Sequence, residues 1–147
     1  MITPTHGRLL IFILLAALFT GQGHGAVGDE RHPLEPLDTS SPRATLSSFL
    51  ANVDEVWQIY RERYWHSPSA ELEAHIFRIA ARALRTLDLS EVAPSARTEV
   101  GYDTGTFLYE TLNRIELPPL GEIPDAAFFA DKEGPAQWTI PHTDITI

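Results

Sequence analysis

The chain has 147 residues, few enough for one domain, and 44% hydrophobic against 21% charged residues is ordinary globular composition. Eleven Lys and Arg stand against 20 Asp and Glu, and the resulting net charge of −9 argues against a nucleic-acid partner, because a phosphate-backbone binder needs a basic face. With no cysteine, disulfide bridges, thiol nucleophiles and thiolate metal ligands are excluded together.

Arg8 stands just before an apolar run, Leu9 to Phe19, that is followed by small and polar residues. This layout predicts a secretory signal peptide over residues 1–25, cleaved before Ala26 after Gly23-His24-Gly25. As a helix the run would rise only about 16 Å, short of the ~30 Å hydrocarbon core of a bilayer. No later run reaches the roughly 18 apolar residues of a spanning helix, so no membrane span is expected after signal removal. The acidic balance also disfavours anionic lipid headgroups unless a basic patch is segregated, and the arginines beyond residue 31 read as scattered.

Residues 26–40 read as an extended lead-in, since DERHPLEPLDTS is proline-rich and aperiodic. Ser41 is then the expected N-cap of a first helix, with Pro42 at its first position, where a missing N–H and a fixed φ cost nothing. Leu46, Phe49, Leu50, Val53, Val56, Trp57 and Tyr60 form one apolar stripe along about five turns. Ser67-Pro68-Ser69 breaks the helix, and a second follows with the stripe Leu72, Ile76, Ile79, Ala80, Ala83 and Leu87; alanines at 74, 80, 81 and 83 favour close packing.

The link DLSEVAP ends the second helix, and Pro94 is expected to open a third whose stripe is Val100, Thr104, Phe107, Leu108, Thr111, Leu112 and Ile115. Gly101 and Gly105 cost roughly 1 kcal/mol each relative to alanine, so this helix is expected to fray or kink near them unless another backbone packs closely. Pro118-Pro119 stops it, and a proline- and glycine-rich stretch follows. The final WTIPHTDITI favours two short strands around a turn, with His142 at the third position suiting type I better than type II. The predicted fold is mainly α: about three amphipathic helices packed together and a short C-terminal β-hairpin, in one domain over residues 41–147.

Nothing in the chain points to catalysis. No two of the six histidines share the helical spacing that brings metal ligands onto one face, and Glu71, Glu73 and His75 alternate at two-residue steps, which diverge on a helix. Asp54-Glu55 and Asp88-Glu91 read as surface and capping groups, the serines lie in cap or helix-face positions, and no nucleophile elbow, phosphate loop or dinucleotide fingerprint occurs. The expectation is a non-enzyme with no catalytic, cofactor-binding or metal-binding residues. Trp57, Tyr60 and Tyr64 cluster by helical spacing and read as core, whereas Trp65 lies off their stripe and is a candidate partner contact. Trp138, Ile140, Ile145 and Ile147 are further candidates, because the edge of a short isolated hairpin invites pairing with another chain.

Three stretches carry a family resemblance: HPLEPLDTSSPRATLSSFL, then LDLSEVAPSARTEVGYDTGTFLYETLNRIELPPLGEIPD, then WTIPHTDITI. Over most of residues 32–147 the chain resembles the extracytoplasmic N-terminal region of bacterial small-conductance mechanosensitive (MscS) ion channel proteins, most strongly at Asp38 to Leu46, Asp88 to Val92 and Arg114 to Asp125. Two positions depart from the pattern: Gly121 stands where an acidic residue is expected, and His142 where a glycine is. The resemblance implies a non-enzymatic domain, without cofactor, that serves the response to membrane tension or osmotic stress. It implies export to the periplasm, with attachment to the inner membrane where the chain continues into a channel. Family members carry membrane helices and a cytoplasmic β domain beyond this region, so the pore is expected to lie outside these residues and the domain to be truncated at its C-terminus. Its partners would be the remainder of a channel polypeptide or further copies of itself; the alternative is a free periplasmic helical binding or adaptor protein.

Overall fold

The computed structural model describes residues 36–147; the expected signal peptide and most of the lead-in lie outside them. The described residues are mainly α, with four helices and no β-strand: α1 (Pro42–Ile59), α2 (Ala70–Leu84), α3 (Arg97–Leu112) and a single-turn α4 (Ala126–Phe129).

Local chemistry sets the start of α1. Ser41 is extended (φ −158°, ψ 162°), and its Oγ accepts from the Ala44 N–H at 3.2 Å, satisfying one of the orphan donors of the first turn, with Pro42 directly behind. Of the expected stripe, Leu46, Phe49, Val53, Val56 and Tyr60 are buried and Leu50 and Trp57 half-buried. Two polar residues are buried beside them. The Ser48 hydroxyl donates to the Asp38 carbonyl (2.9 Å), tying the end of the lead-in to the helix, and Asn52 Nδ2 donates to the Ser48 carbonyl (2.6 Å) within the helix.

At Tyr60 the helix widens into a π turn, Tyr60–Tyr64, where the Trp65 N–H reaches the Tyr60 carbonyl at 2.9 Å. The wider turn brings both Tyr64 and Trp65 against Tyr60. α2 begins with Ser69 capping the Leu72 N–H at 3.2 Å, carries Glu71 and Glu73 in its first turn and Arg82 in its last, as the helix dipole favours, and packs mainly against α1. Of its five alanines only Ala80 and Ala83 face inward; Ala70, Ala74 and Ala81 are exposed.

The third helix differs from expectation in three respects. It begins at Arg97 rather than Pro94; the residues between form turns, and the Arg97 guanidinium fastens back onto the Val92 and Ser90 carbonyls at 2.9 and 3.2 Å. It runs unbroken through Gly101 and Gly105. Its buried face is Gly101, Gly105 and Leu112, while Thr104, Phe107 and Thr111 are exposed. The glycines cause this shift. A Cβ at Gly101 would lie 3.1 Å from Leu89 Cδ1, and one at Gly105 would lie 3.0 Å from Leu84 Cδ2, so the missing side chains let α3 close onto leucines at and beyond the end of α2.

The expected hairpin reduces to one antiparallel bridge, Thr139 to Thr146, too short to form strands. Its turn also departs from type I. The Thr143 N–H bonds to the Ile140 carbonyl at 3.2 Å and His142 has φ 63°, the positive value that a type II turn requires at its third position.

Arg43 holds the stretch before α4 in place. Its Nε donates to the Ile123 carbonyl (2.7 Å), one terminal nitrogen to the Gly121 carbonyl (3.0 Å) and the other to Asp125 Oδ2 (3.1 Å), while its backbone N–H reaches the Pro124 carbonyl (3.1 Å). Asp125 Oδ1 in turn caps α4 by accepting from the Phe128 N–H at 3.1 Å. Ile123 is thereby set into a buried cluster with Leu46, Phe49, Val53, Ala83, Leu112 and Ile140.

Candidate interaction surface

The terminal ribbon is held by reciprocal backbone bonds between Trp138 and Ile147 (2.9 Å each way) and by the Ile140 N–H donating to the Ile145 carbonyl (2.9 Å). Side chains alternate across such a ribbon. Thr139 and Thr146 share one face, where their hydroxyls meet at 2.9 Å, and Trp138, Ile140, Ile145 and Ile147 turn toward the core. This arrangement corrects the reading of Ile140 as a partner contact: at 1% exposure it belongs to the chain's own core. Trp138, Ile145 and Ile147 are half-buried, and the two isoleucines line an apolar groove of about 390 Å³ with Leu46, Phe49, Leu108 and Leu112.

The π turn presents the other expected contact. Tyr60 is buried, with Trp57 edge-on at 6.2 Å, Tyr64 stacked at 5.5 Å and Trp65 at 6.1 Å. Trp65 leans on this cluster and is still 67% exposed, a large apolar surface on a short rigid side chain. A shallow open cleft lies between the π turn and the first turns of α2, lined by Glu62, Arg63, His66, Glu71 and His75. Among the described residues no three His, Cys, Asp or Glu side chains converge in a group that could hold a metal ion.

Three exposed apolar side chains were not expected at the surface from the sequence: Phe107, which was placed on the third helix's apolar stripe, Leu120 and Phe128. Phe107 was legible, since glycines four residues apart mark a close-packing face and place position 107 opposite it. Phe128 packs edge-on to Phe129 at 5.0 Å and carries the chain's one lysine, Lys132, whose Nζ sits 3.2 Å from the Phe128 ring centroid in a cation–π contact.

Electrostatics at these surfaces is mild. Burial, reinforced by the Asp54 carboxylate that accepts the Tyr109 hydroxyl at 3.0 Å, pushes the Tyr109 phenol up to about 12. Burial likewise raises Tyr60, Tyr64 and Tyr102. Hydrogen bonds from Ser90 hold Asp88 below the usual carboxylate range at the start of the link to α3.

No family model, curated protein or solved structure matches the chain. Among the described residues no helix is long and apolar enough to cross a membrane.

Proposed function

We propose that the chain is the extracytoplasmic N-terminal domain of a small-conductance mechanosensitive channel protein, a non-enzymatic module exported to the periplasm that works by packing and contact in the response to membrane tension. One observation carries this reading: the stretches that bear the family pattern, far apart in sequence, meet in space. Arg43 of the first grips Gly121, Ile123 and Asp125 of the second, and Leu46, Ile123 and Ile140, one from each of the three, share the same buried cluster. Position 142 adds support. The family pattern has glycine there, and a φ of 63° is the backbone that glycine adopts most readily.

Export is tested by fractionating expressing cells and sequencing the N-terminus of the recovered protein. A periplasmic product beginning near Ala26 is expected, and cytosolic protein retaining Met1 overturns the reading. The channel assignment is tested on the gene, where in-frame coding beyond Ile147 for spans of about 20 apolar residues is expected, together with poorer survival of hypo-osmotic shock in a deletion strain. A stop codon directly after Ile147 and unchanged shock survival would favour the free adaptor.

A further inference from the structure

The arginines beyond residue 31, which read individually as scattered, are nonetheless unevenly spread along this chain. Residues 61–85 hold five arginines against three glutamates, whereas residues 86–147 hold three cations against eleven acids. Two helix faces carry part of this asymmetry, two arginines on one and an aspartate on the other. Ala74, Arg78, Ala81 and Arg85 recur at three- and four-residue steps, all four are exposed, and they form one narrow stripe along α2 and its C-cap residue Arg85, opposite the buried Leu72, Ile76, Ile79 and Ala83. Among the described residues no carboxylate lies within ion-pair distance of Arg78 or Arg85, and an Arg78 guanidinium nitrogen donates to His75 Nδ1 at 3.2 Å. α3 presents the converse. Opposite the glycine face that packs on Leu84 and Leu89, it exposes Asp103, Phe107 and Thr111, with Phe107 64% exposed.

We propose that the Ala74–Arg78–Ala81–Arg85 stripe of α2 is an interaction surface whose partner is the Asp103–Phe107–Thr111 face of α3 on a second copy of this chain. Charge and shape both favour this occupant. The alanines leave room between the arginines for a ring such as that of Phe107, and the arginine stems flank it, while Asp103 meets a guanidinium. An anionic lipid surface would meet the same stripe but would also meet the acids that dominate the rest of the molecule. Because the two faces differ, the contact is head-to-tail, so a pair of copies keeps one free face of each kind, and association closes into a ring or grows with concentration. Two single-helix faces make a contact at the small end of specific interfaces, so the association is weak and reversible.

The test is sedimentation velocity of the full chain across concentrations from about 10 μM to about 1 mM, which span the micromolar to millimolar Kd of a weak contact. Wild type is expected to associate, with at least a tenfold weakening at about 0.5 M salt, where screening shortens the range of charge attraction to a few ångströms. Both F107A and the double variant R78E/R85E change exposed side chains, so folding is retained, as an unchanged melting temperature will verify; each is expected to abolish association. Mixing R78E/R85E with D103R is expected to restore mixed complexes that neither variant forms alone. A monomer at every concentration, or association indifferent to these variants, overturns the proposal. So does wild type that stays monomeric yet binds phosphatidylglycerol vesicles through Arg78 and Arg85, which would assign the stripe to a lipid surface.

Discussion

Replacing Arg43 by alanine removes three side-chain hydrogen bonds that span about 80 residues of sequence, and their surroundings set the expected cost. Gly121 is exposed, so its carbonyl rehydrates at little penalty. The ion pair with Asp125 is between side chains 34% and 43% exposed, and a pair that wet contributes at most about 1 kcal/mol. The Ile123 carbonyl is different: the residue is fully buried, and an acceptor stranded there costs about 1–3 kcal/mol. The sum is about 3 kcal/mol for R43A. R43K presents one ammonium where the guanidinium engages three acceptors, and should lose roughly half as much. D125A should lose about 2 kcal/mol, combining the ion pair with the α4 cap. Urea denaturation followed by tryptophan fluorescence reads these as shifts in midpoint at unchanged slope. R43A within about 0.5 kcal/mol of wild type, or R43K equal to wild type, would refute the idea that the fork secures the Ile123 segment.

His142→Gly should stabilise the chain by about 0.5–1 kcal/mol, the relief of a left-handed residue less glycine's extra unfolded entropy, and a lowered melting temperature would contradict the φ of 63°. At Gly105, alanine gains up to about 1 kcal/mol of helix propensity but presses on Leu84 Cδ2 at 3.0 Å, so G105A should stay near wild type, whereas G105L should cost about 3 kcal/mol by forcing α3 away from its leucines. The tyrosines make stability pH-dependent at the alkaline end. All four have folded-state pKa values raised above their ordinary value near 10, so their contribution is complete below pH 10 and is lost as pH climbs toward the value of about 12 at Tyr109. Absorbance at 295 nm should accordingly show native tyrosines ionising above 10 while the melting temperature falls; four phenols titrating together at 10 would contradict the burial of Tyr109 and Tyr102.

What could be read from the chain beforehand divides according to the range of the interactions involved. The starts of α1 and α2 are decided within four residues by Ser41-Pro42 and Ser69, and the stripes of these helices follow one period throughout, so caps, faces and core agree with the pattern. The π turn at Tyr60 depends on how three aromatic rings settle against one another, and hydrophobic period carries no trace of an i→i+5 bond. The Arg43 fork joins residues about 80 apart, and no local feature of Arg43 distinguishes it from a solvated arginine. His142 takes positive φ because the reciprocal bonds between Trp138 and Ile147 close the ribbon around a tight turn, overriding the residue's own preference.

For the surface the decisive quantity is which apolar residues find cover, and periodicity reports only which residues share a face. Trp65 and Phe107 illustrate the two outcomes. Trp65 lay off the α1 stripe, and it is exposed. Phe107 lay on an apparent α3 stripe and is exposed all the same, because Gly101 and Gly105 take the buried side for themselves. Ile140 shows the converse: the alternation that aligns it with Trp138, Ile145 and Ile147 was legible, yet whether that face meets core or partner depends on Leu112 and Ile123 arriving from elsewhere in the chain. Small residues at helical spacing therefore carry as much information about the buried side of α3 as its large apolar residues do. The same spacing on α2, alternating alanine with arginine, marks a side left uncovered among the described residues.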